Sequence, residues 1–122
     1  MKLADLTDTL DLAVLGTARL LSHEVTGGYA SDLLSDVMAN TRVGNVWITL
    51  QVHINIVAVA SLKELSGIIL INGRQPDDDT VQKAEAEGIP VMVSQLPAFE
   101  LVGRLYELGI RGGSNENATD TE

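Results

Sequence analysis

His53, one of two histidines in the chain, stands between Gln51 and Asn55, a polar stretch able to do acid–base or binding chemistry. An imidazole changes charge near neutrality and serves as a general base or hydrogen-bond partner. Comparable polar groups recur at Ser31-Asp32, at Asn72-Gly73-Arg74 and at Ser94-Gln95. Their amides and hydroxyls suit a small anion or the edge of a nucleotide, above all beside helix amino termini. Taken singly, Ser, Asp, Asn and Gly also make turns and caps, so the cluster carries more weight than any member. Thr26-Gly27-Gly28-Tyr29 is the other notable feature, since adjacent glycines in a strand-like segment admit a bulge or another backbone, a ligand's or a partner chain's. His23, beside Ser22 and Glu24, fits an exposed turn with no assigned role. Consecutive carboxylates at Asp77, Asp78 and Asp79 point in different directions on a helix, which favours capping over a cation site.

The elements that must position these groups follow from apolar spacing. Leu3, Leu6 and Leu10 predict a helix over 2–10, and an apolar run predicts a strand over 12–15, closed by Gly16. A second strand is expected over 24–31. Asp32 then caps a helix whose Leu33, Leu34, Val37 and Met38 share a face and which stops near Asn40. Val46, Ile48, Leu50 and Val52 alternate with polar or aromatic neighbours, as a strand does. That alternation runs on into Ile54 and Ile56, but strand length sets a switch to helix near 53–55. A buried strand over 67–71 ends at Asn72-Gly73, and a helix beginning at the three aspartates closes at Gly88. A strand over 89–93 and a helix from Pro97 to Gly109 complete the series. Alternating β-α units with short connections predict one α/β domain: a mostly parallel sheet of about five strands flanked by helices, with right-handed crossovers. In such sheets ligands bind outside the carboxyl ends of the strands, where all four polar groups would then lie.

Bulk composition narrows the chemistry. The chain has 122 residues, enough for one domain, expected over 1–111 with a disordered acidic tail over 112–122. Aromatics are only 3% of residues, so Leu, Val and Ile must fill the core. A net charge of −9 argues against nucleic-acid binding, which needs a surplus of cations. Without cysteine there is no thiolate metal site, disulfide or cysteine nucleophile, and no His-x-x-x-His spacing occurs, so neither metal nor cofactor is expected. There is no Gly-Lys-Ser/Thr phosphate loop, no Gly-x-Gly-x-x-Gly and no Gly-x-Ser-x-Gly. No apolar run approaches the length of a membrane span, and the acidic start does not resemble a signal peptide, so a cytoplasmic protein with no membrane partner is expected.

Four stretches together resemble the DRTGG domain: residues 25–36 with Thr26-Gly27-Gly28-Tyr29-Ala30-Ser31-Asp32, then residues 47–55, 67–73 and 88–91. The resemblance extends over roughly 3–110. Thr26, Gly27 and Gly28 keep part of the signature, whereas Glu24 and Val25 stand where it has Asp and Arg. The resemblance implies a non-catalytic bacterial α/β module, often dimeric, associated with regulation and similar to the amino-terminal domain of HPr kinase/phosphorylase. The kinase activity is not implied, because the phosphate loop is missing.

The expected function is therefore regulation or ligand sensing by a homodimer. Its ligand-binding residues would be Thr26, Gly27, Gly28, Ser31, Asp32, Gln51, His53, Asn55, Asn72, Gly73 and Ser94, and its ligand a small anion or nucleotide. Val25, Tyr29, Leu33 and Leu34 are the expected dimer patch. Two other readings stay open: an enzyme on a phosphorylated or nucleotide substrate with His53 as acid/base, and an interaction subunit that docks a protein partner in a signalling or redox complex.

Overall fold

The computed structural model describes residues 1–16 and 21–112. The elements run α1 (Leu3–Leu10), β1 (Ala13–Leu15), β2 (Gly27–Ala30), α2 (Leu34–Asn40), β3 (Asn45–Thr49), α3 (Asn55–Lys63), β4 (Gly67–Leu70), α4 (Asp78–Glu87), β5 (Val91–Val93) and α5 (Ala98–Glu107). Type and order match the expectation. The sheet order is β1-β5-β4-β3-β2, with β2 to β5 mutually parallel and β1 antiparallel to β5.

Apolar residues on both faces of the central strands produce this layering. Along β3 to β5, Trp47, Ile68, Leu70, Val91 and Val93 face one side, where Val37 of α2, Ile56, Val57 and Ala60 of α3 and Ala84 of α4 cover them. Val46, Ile48, Ile69 and Met92 face the other, under Leu3 and Leu6 of α1 and Leu101 and Leu105 of α5. A parallel sheet needs such double coverage, which makes its strands read as continuous apolar runs.

Several boundaries differ, each for a local reason. The strand expected over 24–31 pairs in the sheet only from Gly27, because Lys2 bridges Glu24 and Val25 N–H donates to the Met1 carbonyl. The strand expected to reach Val52 stops at Thr49: Leu50 N–H turns to the Asp32 carboxylate at 2.7 Å and Gln51 N–H to Thr49 Oγ1 at 3.1 Å. Asp32 therefore does not cap α2, whose N-cap is Leu33. Only Val37 of the expected α2 face is buried; Leu33 and Met38 are exposed because α2 lies over the edge of the sheet. Gly112, expected to open the tail, bridges Gly28; the remainder of the expected tail lies outside the described residues.

Candidate functional site

Each β-to-α turn of the parallel strands ends at the same edge, and hydrogen bonds tie neighbouring turns together. After β2, Ser31 N–H donates to the Ile48 carbonyl at 3.1 Å, and the Ser31 carbonyl accepts Trp47 Nε1–H at 2.8 Å. Ser31 Oγ accepts Leu33 N–H. The Asp32 carboxylate accepts the buried Thr49 hydroxyl at 2.8 Å, and the Asp32 carbonyl accepts Gln51 Nε2–H at 2.9 Å. These bonds stitch the first two turns into one platform.

The other two turns are joined likewise. Asn72 and Gly73 both adopt left-handed backbone, and their N–H groups donate to Leu96 O and Ser94 O at 2.9 and 2.8 Å. Ser94 is buried, its Oγ accepting Leu96 N–H. Ser31, Asp32 and Ser94 thus spend their side chains on the scaffold. The side chains of His53, Asn55, Asn72 and Arg74 stand exposed at this edge, and no salt bridge among the described residues involves Arg74. Helices α2, α3, α4 and α5 all begin here, so their partially positive ends face the same side.

His53 Nδ1 lies 2.8 Å from Asp77 Oδ2. A carboxylate only accepts, so Nδ1 carries the proton and, in the neutral ring, Nε2 presents a lone pair. The imidazole is 67% exposed, suited to receive an amino or hydroxyl group of a ligand. Asp77 holds the N-cap position of α4 and Asp78 and Asp79 lie in its first turn, as expected, but the Asp77 side chain makes no capping bond there. Its carboxylate instead joins two consecutive turns. Among the described residues no group of His, Cys, Asp and Glu is arranged to hold a metal ion.

Thr26, Gly27 and Gly28 do not belong to this edge. Gly27 and Gly28 open β2 with Thr26 just ahead of it, and the carboxyl edge begins only after Ala30. Thr26 Oγ1 donates to the Val43 carbonyl at 2.8 Å and accepts Asn45 Nδ2–H, an internal brace. The backbone that approaches Gly28 is this chain's own: Gly28 N–H donates to Arg111 O at 2.8 Å, and a Cβ at Gly28 would meet Ile110 Cγ2 at 3.2 Å. The Arg111 guanidinium in turn sits 3.7 Å from the Tyr106 ring centre. Nor is the expected dimer patch one surface. Val25 is buried with α1 and α5, while Tyr29 and Leu34 pack on the opposite face of the sheet. His23, expected in an exposed turn, is half-buried with Nδ1 at 3.2 Å from the Ser66 carbonyl.

One titrating pair borders the site. Tyr29 OH donates to Asp36 Oδ1 at 2.7 Å, and this bond, followed by those from Ser31 and Asn40, holds the Asp36 carboxyl below its ordinary value. The same bond raises the Tyr29 hydroxyl. A carboxyl lowered by folding stabilises the native state above its unfolded pKa, and that contribution vanishes as pH falls through the folded one. A raised tyrosine contributes below its unfolded pKa and ceases to as pH rises through the folded one. Tyr29→Phe is accordingly expected to move the Asp36 titration, followed by NMR, back up toward the ordinary carboxylate value. An unmoved titration would show the bond absent in solution.

No protein-family model and no curated protein matches the chain. Among solved structures the fold is similar to the CBS and DRTGG domains of the regulatory region of Clostridium perfringens pyrophosphatase, complexed with its activator diadenosine tetraphosphate. The TM-score is 0.69 at 15% sequence identity, over 84% of this chain and 44% of that one. The chain thus spans less than half the length of that structure's chain, and at this identity the likeness is one of fold.

Proposed function

We propose that the chain is a non-catalytic regulatory module that binds a nucleotide or similar phosphorylated anion at the carboxyl edge of its sheet and acts as a homodimer. The observation that carries this reading is the placement of exposed His53, Asn55, Asn72 and Arg74 at one edge, where four helices begin. Arg74 supplies the cation for a phosphate, Asn55 and Asn72 supply amide donors, and Nε2 of His53 accepts from a base or sugar. Ser31, Asp32, Gln51, Gly73 and Ser94 hold the turns in place. The fold likeness to a regulatory region complexed with a nucleotide activator supports the same reading.

A thermal-shift panel of adenine mono-, di- and triphosphates, diadenosine tetraphosphate and acetyl phosphate tests it. A ligand that binds only the native state stabilises it by about 2.7 kcal/mol at 100 times its Kd, raising Tm by roughly 10 °C in a domain of this size. Arg74→Ala is expected to weaken that ligand about tenfold, the effect of losing one charge-assisted contact. A panel without any shift would contradict the reading. A monomer by light scattering at tens of micromolar would remove the homodimer.

A further inference from the structure

Helix α5 carries more apolar surface than its own fold uses. Leu101 and Leu105 are buried against the sheet. Phe99, Val102 and Tyr106 form a second face and are 89, 38 and 56% exposed. Their spacing of i, i+3 and i+7 makes one stripe, the pattern by which one helix seats on another. Ala98 and Gly103, also exposed, join them in lining a shallow apolar depression. The polar residues Glu100, Arg104 and Glu107 are confined to the remaining arc of the helix.

Composition and area point to what covers this stripe. The chain has four aromatic residues, of which only Trp47 is fully buried, and two of the other three stand on this face. At about 200 Å² for a whole ring side chain, Phe99 and Tyr106 together expose roughly 300 Å², and Val102 and Ala98 bring the stripe to about 400 Å². A dimer of standard size buries about 800 Å² per partner, roughly 450 Å² of it apolar. One α5 stripe per copy meets nearly all of that apolar share, with Glu100, Arg104 and Glu107 alongside as a polar rim. Tyr106 is already held in place, since Arg111 stacks on its ring and Arg111 Nη1 donates to its carbonyl at 2.7 Å, so little side-chain freedom is lost on association. Residues 113–122 contain no aromatic and no aliphatic larger than Ala, so the chain's own terminus has no apolar cover to offer.

The stripe is also self-complementary. Two copies of α5 packed antiparallel about a two-fold axis between positions 102 and 103 set Phe99 of each opposite Tyr106 of the other, and Val102 of each opposite Gly103. Nothing lies within 4 Å of a would-be Cβ at Gly103, which leaves a hole for the valine knob. A two-fold interface requires this reciprocity. We propose that the face formed by Phe99, Val102, Gly103 and Tyr106 binds a second copy of this chain through an antiparallel α5–α5 contact. The proposal rests on the homodimer reading and gives it a surface, which the expected patch around Tyr29 does not form.

Sedimentation equilibrium of the full chain at tens of micromolar tests it, with the wild type expected as a dimer. Phe99→Asp changes an exposed side chain and leaves the core untouched. It should raise the dimer Kd about a hundredfold or more, because the dimer contains the contact twice, and yield a monomer with native circular dichroism. Gly103→Gln should also dissociate the dimer, yet melt no lower than the Phe99→Asp monomer, because it replaces an unfavourable helical glycine at an open position. Leu62→Gln, at an exposed apolar position on α3, should leave the dimer intact. A dimer that persists in Phe99→Asp or in Gly103→Gln, or that Leu62→Gln dissociates equally, would overturn this interface and keep the homodimer. A monomeric wild type would overturn both and leave the face to a different protein.

Discussion

Trp47→Ala is expected to cost about 3–5 kcal/mol of folding free energy, the usual range for emptying a fully buried aromatic site. Trp47 has no exposed surface, is the largest fully buried side chain and lies in the core beneath α2 and α3. Its loss also removes the 2.8 Å bond from Nε1 to the Ser31 carbonyl, which fastens β3 to the first turn of the candidate site. For a domain whose whole stability is about 5–15 kcal/mol this is a large fraction, and Tm should fall by roughly 15 °C. Trp47→Phe keeps most of the volume and loses the bond, and should cost about 1–2 kcal/mol. Thermal melts followed by circular dichroism decide the matter. A fall of only a few degrees in the alanine variant would mean that the indole is not packed as described.

Gly44→Ala should cost about 2–4 kcal/mol, because backbone strain and overpacking act together. Gly44 has φ of +85°, and a Cβ there would lie 2.6 Å from Thr26 Cγ2 and 2.8 Å from Thr26 Oγ1. Thr26 cannot swing away cheaply, since Oγ1 is bonded to the Val43 carbonyl and the Asn45 amide, and its own N–H donates to Gly44 O. Gly88→Ala provides the comparison. Gly88 also has positive φ, at +73°, yet nothing lies within 4 Å of its would-be Cβ, so strain alone should cost about 1 kcal/mol. Urea unfolding of both variants separates the two contributions. Equal losses would show that Thr26 does not hold Gly44 as described.

Thr26 also shows where sequence reading stopped short. Its neighbouring glycines announced a close backbone approach, and one occurs, but from residues 110–112 of the same chain, more than 80 positions away. Local pattern contains the conformational freedom and not the identity of what uses it. The succession of elements was legible because apolar runs and turn residues are local signals, and the placing of Gln51, His53, Asn55, Asn72 and Gly73 at one edge followed from the parallel order. The division of labour within that edge was not legible. That Asp32 would end β3 rather than cap α2 depends on Thr49 and Leu50 arriving opposite it across the sheet. The Asp77–His53 pair joins residues 24 apart, and no motif links them.

The central claim, that the carboxyl edge of the sheet receives a nucleotide or related phosphorylated anion, is tested most directly by amide NMR shifts during titration with diadenosine tetraphosphate and adenosine triphosphate. The expected result is saturable shifts in the turns at residues 31–33, 50–55, 72–75 and 94–96, with Arg74→Ala raising the apparent Kd about tenfold. Shifts confined to the amino-terminal edge around residues 23–26 and 64–66, or no saturable shift with either nucleotide, would contradict it.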